Sequence, residues 1–305
     1  ALQTPGLPPA VAAAARRVAT LVTPVDPPPT AATLKAAASQ SGLLLEATIV
    51  ATGAPPPDDM KAALLTLRQT LATAVEALPA QAEAGPTVPA APAQQLLGGA
   101  SATRAAVAPA HAEPPPAPPY RDAPLRAQPP ATARLPSDAP PATVVRALLQ
   151  DVNGALARQV LYQLASLPGA PGLAAPAQAD SSQPHWMFEL PFAAFQGATP
   201  TPFEISRDGG RSATGGDDTE PTWRARFSLD LGAAGPVHAR VSLAGGRVRV
   251  GLWAEQPATA EALDAERGAL SADLAGQQFE AAVTVLAAQP ANPAADPGRF
   301  VDQAL

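Results

Sequence analysis

The hydrophobic positions of this 305-residue chain follow two different periods. In the last third they alternate by two. Trp223, Ala225, Phe227, Leu229 and Leu231 share one face of TWRARFSLDL (222–231); Val237, Ala239, Val241 and Leu243 share one face of VHARVSL (237–243); Val248, Val250 and Leu252 share one face of RVRVGLW (247–253). Such alternation predicts strands of a sheet with one buried face. The connections GAAG and AGG are short and glycine-bearing, so the three runs form an antiparallel meander. HWMFELPF (185–192), PFEISRD (202–208) and QFEAAVTVL (278–286) read as further strands. Before the last of them, Pro257 opens a helix, Leu263, Leu270 and Leu274 form its apolar stripe, and Gly276 closes it. The prediction is an α+β, two-layer domain over 185–289, an antiparallel sheet under one covering helix.

Upstream the period lengthens to that of helices. Residues 9–22 and 31–50 read as short helices separated by TPVDPPPT, and a better one spans 58–78, where Asp58 can cap Leu64, Leu67, Leu71, Val75 and Leu78 at helical spacing. These define a weakly folded, Ala-rich helical region over 1–84. A long amphipathic helix follows at 142–167, with Val145, Leu148, Leu149, Val152, Leu156, Val160 and Leu164 on one stripe. Between them, 85–141 holds 15 prolines and no apolar period, the signature of a disordered linker in extended, polyproline-like states. At ~3.1 Å per residue such a segment reaches on the order of 150–200 Å. Shorter stretches, 168–184 and 290–305, read as a second linker and a disordered tail.

Composition sharpens this division. Of 39 prolines, 26 lie at or before Pro141, and aromatic residues make up only 4%, so the N-terminal half has little large apolar surface to bury. The net charge of −6 excludes a generally basic, nucleic-acid-coating protein. Residues 184–289 carry eight arginines against thirteen acids, so the acidity sits in the predicted sheet domain. There are no cysteines, which removes disulfides and thiolate metal sites. No apolar run reaches membrane-spanning length, and no charged-then-apolar signal segment is present.

Candidate chemistry is sparse. His111, His185 and His238 have no metal-ligand spacing and read as solvent-facing residues, and the acidic loop carrying Asp208, Asp217, Asp218 and Glu220 lacks EF-hand spacing. No phosphate cradle or nucleophile elbow occurs, so neither a catalytic residue nor a cofactor is expected. One surface feature stands out. If the apolar residues face the helix, then Arg224, Arg226, His238, Arg240, Arg247, Arg249 and Trp253 project from the other face, which suits an acidic or aromatic-bearing partner. On composition alone the chain also fits a non-enzymatic surface or envelope binding module on a proline-rich stalk.

The run WRARFSLDLGAAGPVHARVSLAGGRVRVGLWAEQPATAEALDAERGALSADLAGQQFEAAVTV resembles the C-terminal domain of flagellar hook-length control proteins. QLASL, WMFELPF and, further upstream, SGLLLEATIV followed by DDMKAALLTLRQTL look similar to that family's lead-in. The specific match covers 185–286; Gly268 inside the helix and the absence of Arg after Thr259 depart from it. The resemblance implies a monomeric, non-enzymatic molecular ruler, made in the cytoplasm and then secreted through the flagellar type III apparatus. It also implies that the C-terminal domain acts on the cytoplasmic domain of the FlhB-like export-gate switch protein. Hook and hook-cap proteins are the other implied partners, with no nucleic acid and no membrane. Trp253, Glu255, Gln256 and Pro257, together with Arg224, Arg226, Arg240 and Arg249, are the partner-interface residues this reading selects.

Overall fold

The computed structural model describes residues 7–77, 119, 123–131, 139–167, 183–194, 197–208 and 220–286. Most of the 85–141 linker, nearly all of the 168–184 linker, most of the acidic loop with Asp217 and Asp218, His111 and the 290–305 tail lie outside the described residues.

The N-terminal helices are α1 (Pro9–Thr20), α2 (Ala31–Ser39), α3 (Leu45–Thr52) and α4 (Met60–Glu76); α5 spans Pro141–Ser166. α4 is capped by Asp59, one residue later than expected, whose side chain accepts from the Ala62 amide at 2.9 Å. The apolar stripe of α4 does not wait for a partner. Leu64, Leu67 and Leu71 pack with Val11 of α1 and with Val145, Val152 and Leu156 of α5 in one buried cluster. The periodicity of each helix was legible, but that α4 and α5 complete one core across the proline-rich stretch was not.

The stripe expected on α5 holds only in its first half. Val160 and Leu164 are 45% and 50% exposed, because the last turns of the helix present Gln159 and Gln163 inward instead. Gln163 Nε2 donates to Gly42 O and Leu43 O at 3.3 Å, and its Oε1 accepts from Lys61 Nζ at 2.6 Å. Lys61 also pairs with Glu46. These are backbone and charged groups that must be satisfied where a loop is covered, and polar side chains do this where leucines cannot.

Among the described residues the sheet has seven strands in sequence order: β1 (Thr23–Pro24), β2 (His185–Ala194), β3 (Gly197–Asp208), β4 (Thr222–Asp230), β5 (Pro236–Ala244), β6 (Arg247–Ala254) and β7 (Glu280–Leu286). The class is α+β, as the alternation requires, but the sheet is larger than expected and mixed. β2 to β6 pair antiparallel. β7 pairs parallel with β6, which follows from the crossover helix α6 (Pro257–Gly276) between them. At the other edge, β1 pairs parallel with β2, Thr23 opposite Phe192, so the helical region donates a strand to the sheet.

The inner face carries an aromatic ladder: Phe188 and Phe203 centroids lie 5.6 Å apart, Phe203 and Phe227 5.1 Å, Trp186 and Trp223 6.1 Å. Two elements share the work of covering it, rather than one. Leu34, Ala37 and Ala38 of α2 pack at the β2 end. α6 lies over β6 and β7, where Ala281, Val283 and Val285 are half-buried and alternate with exposed Ala282 and Thr284. α5 grips β2 from the outer side: the Met187 amide donates to Ser166 Oγ at 2.7 Å and Arg158 Nε reaches Glu189 Oε2 at 3.3 Å. Tyr162, enclosed in the same seam, has its phenol pushed up to about 12, first by burial and then by the charge of Glu189, with Arg158 acting in the opposite direction. No helix among the described residues is long and apolar enough to cross a membrane.

Candidate functional site

Strand register fixes which side chains share the outer face. Glu204, Arg226 and Arg240 stand in one cross-strand row; Ser206, Arg224, Ser242 and Arg249 stand in the next; Ser228, His238 and Trp253 stand in the row on the other side. The arginines selected from sequence therefore do lie on one face with Trp253. Their exposure differs sharply along it. Arg224 and Arg249 are open to solvent, Arg240 is half-buried, and Arg226, His238 and Trp253 are covered.

The cover is a stretch of the segment expected to be linker. Residues 123–131 run across the outer face as a strap. Arg226 donates to Ala123 O at 3.3 Å, Ser228 Oγ donates to Leu125 O at 3.0 Å, and the Ala131 amide donates to Ala198 O at 2.8 Å. Ala123 is itself buried. The reading of 85–141 as linker throughout is thereby corrected at 123–131: the prolines keep the segment extended, and an extended strap can offer the carbonyls of Ala123 and Leu125 and the amide of Ala131 to the sheet.

Beneath and beside the strap lie groups that sequence reasoning missed or misplaced. Glu204 is only 2% exposed; its carboxylate receives His185 Nε2 at 2.7 Å and pairs with Arg226. A buried carboxylate requires such partners, since an unpaired one costs several kcal/mol, on the order of 3–5. His185 and His238 are buried, not solvent-facing as expected. His238 stacks on Trp253 at 5.1 Å, with planes 10° apart. Ser228 Oγ, which donates to the strap, also lies 2.7 Å from His238 Nδ1, so serine and imidazole are tied together beneath it. Trp253 Nε1 is buried with no acceptor among the described residues. The charge of Glu204 opposite Arg226 is visible in the alternation once register is known; the strap leaves no such mark.

The segment Trp253 to Thr259 forms the corner between β6 and α6. Ala254 is buried, and the Glu255 amide donates to Pro236 O at 3.1 Å. Pro257 takes the first position of α6, where its missing N–H costs nothing. Thr259 Oγ1 donates to Ala234 O at 2.7 Å, tying the first turn of the helix to the 3-10 turn Gly232–Ala234 that follows β4. Gly235, at φ 73 and ψ −173, packs under Gln256; a Cβ there would lie 2.7 Å from Gln256 Nε2. This conformation is essentially reserved for glycine. Ala254, Glu255, Gln256, Pro257 and Thr259 thus each have a part in closing the corner, while Glu255, Gln256 and Pro257 remain exposed beyond the strand end. Glu255 Oε1 lies 3.4 Å from His238 Nε2. From Arg249 to Glu255 the chain climbs six positions, roughly 20 Å of strand. The selected residues therefore make an open arginine row and a separate corner, with the strap over the ground between.

Among the described residues no group of three or more His, Asp or Glu is placed to hold a metal ion. The arrangement defines a sheet domain with one polar, partly covered face, closed by a strand-to-helix corner. Residues 212–294, from ahead of β4 to beyond β7, match the family described as flagellar hook-length control protein FliK, and the C-terminal region is a domain of that family. That match is to a regulator of flagellar hook length rather than to a catalytic family. No curated protein and no solved structure matches the chain.

Proposed function

We propose that this chain is an exported hook-length control protein whose C-terminal domain, by docking on the cytoplasmic domain of the export-gate switch protein, changes type III export from hook to filament substrates. The observation that carries this reading is the family match over 212–294, which spans β4 to β7 and includes the corner from Trp253 to Thr259. The open part of the outer face supports it chemically: Arg224, Arg247 and Arg249 are exposed on a domain that is otherwise acidic, an arrangement that steers and orients an acidic partner. The exposed corner residues Glu255, Gln256 and Pro257 supply a second, uncharged-to-acidic contact at the end of the same strand. Upstream, the proline-rich stretch supplies length for measuring. About 180 residues threaded in extended form reach roughly 600 Å at ~3.3 Å each.

Calorimetric titration of the purified full chain with the cytoplasmic gate domain tests the docking. The expected result is saturable binding that weakens about tenfold in an Arg224→Glu/Arg249→Glu variant and falls with added salt. Equal binding by unrelated acidic domains would refute it.

A further inference from the structure

The outer face already carries an extended segment of the chain itself, and one donor beneath it, Trp253 Nε1, has no acceptor among the described residues. Among the described residues the strap 123–131 is held by hydrogen bonds from Arg226, from Ser228 and to Ala198, and the side chain it buries is the small one of Ala123. Leu125 is half-buried and Pro124, Arg126 and Pro129 are exposed. The groove walls are Arg226, Ser228, Arg240 and Trp253, and Pro124 and Leu125 of the strap close a small gap over them. Trp253 Nε1, a strong donor in a residue only 7% exposed, finds no acceptor among the described residues beneath the strap. An occupant with a carbonyl above that indole would bind the same groove with one more hydrogen bond. The far end of the strap depends on a special backbone: at Gly197, φ 134, any Cβ would run into the Ala131 carbonyl.

We propose that residues 123–131 are a cis-acting cover of a groove for extended, proline-containing peptide, and that the export partner engages the domain after displacing it. The second half rests on the docking reading above. The partner segment offers what the strap offers, main-chain carbonyls to Arg226 and Ser228, and adds one for Trp253. In the covered state Arg224 and Arg249 stay exposed beside the strap and make first contact, while Arg226, His238 and Trp253 lie under cover. Encounter and commitment are thereby separated on one face.

Two changes confined to the strap keep the sheet intact. Ala123→Asp places a charge where a methyl is buried, and Ala131→Pro removes the amide that bonds Ala198. In the full chain carrying both, the Trp253 indole N–H resonance should move. A synthetic peptide of residues 123–131 should then bind in trans to a full chain lacking those residues and restore the resonance, whereas the intact chain should not bind it. Affinity for the cytoplasmic gate domain should rise at least about tenfold in the strap variant. No peptide binding and an unmoved Trp253 resonance would overturn the groove. Equal gate-domain affinity of intact and strap-variant chains would overturn the cover while leaving docking standing. If neither chain binds the gate domain, the partner half falls with the reading above, and the peptide arm, which needs no gate domain, still decides the groove.

Discussion

Glu204 is the buried charge on which the outer face depends, and its removal has a predictable cost. The carboxylate is 2% exposed and holds His185 Nε2 at 2.7 Å as well as Arg226. Glu204→Ala leaves an imidazole and a guanidinium facing a void. Removing one member of a buried ion pair costs about 3–5 kcal/mol. Arg226 keeps its bond to Ala123 O and is 15% exposed, so the lower end, about 3 kcal/mol, applies. At roughly 2–4 °C per kcal/mol for a cooperative unit of this size, Tm should fall by roughly 6–12 °C. Thermal melts and urea titrations followed by tryptophan fluorescence read this directly. A triple variant, His185→Phe, Glu204→Met and Arg226→Met, removes the charges together and should be less destabilised than Glu204→Ala alone, because no buried charge is left unpaired among the three, and the Ala123 carbonyl loses only one neutral acceptor's bond. A Tm change below about 2 °C for Glu204→Ala, or a triple variant worse than the single, would mean that Glu204 is not a buried, paired charge on which the face depends.

Three further predictions concern single positions. Gly235→Ala should cost about 1–3 kcal/mol in urea titrations, since φ 73 with ψ −173 excludes a side chain and the new Cβ meets Gln256; an effect under about 0.5 kcal/mol would count against the corner's geometry. Gln278→Gly should stabilise the fold by roughly 0.5–1 kcal/mol, because Gln278 closes α6 at φ 66, with its amide bonded to Ala275 O and that of Phe279 to Leu274 O; destabilisation would mean its side chain is needed. In a Tyr120→Phe background, ultraviolet titration should show Tyr162 ionising at about 12 rather than near its usual 10. Burial favours the neutral phenol in the folded chain, so its contribution is complete below about pH 10 and is lost as pH rises toward about 12.

The meander was readable because Trp223 to Leu252 alternate without a break, and α6 because Pro257 and the spaced leucines mark it. Register then followed, and with it the shared face of Arg224, Arg226, Arg240, Arg249 and Trp253. What the pattern lacked was depth. His238 and Trp253 occupy the face that alternation assigns to solvent, and only a strap from about a hundred residues upstream makes that face buried. A strap that binds through carbonyls needs no hydrophobic period, so it reads as linker. β1 is equally silent: two residues, one of them proline, pair with β2 through backbone alone. On α5, Val160 and Leu164 continue a stripe that the structure abandons, because Gln159 and Gln163 answer carbonyls of residues 41–43 that no local rule brings near. Long-range contacts of polar backbone are the common element in these misses, and sequence periodicity reports only the apolar side of a fold.

Whether this chain measures the hook is decided by hook length, read by electron microscopy in cells whose only copy lacks residues 85–119. That deletion spares the strap, the helices and the sheet domain. The hooks should be uniform, bear filaments and be shorter by up to about 115 Å, the extended length of the removed residues at ~3.3 Å each. Hooks of unchanged length would contradict the measuring role, and long hooks of uncontrolled length without filaments would contradict a switch carried by the C-terminal domain.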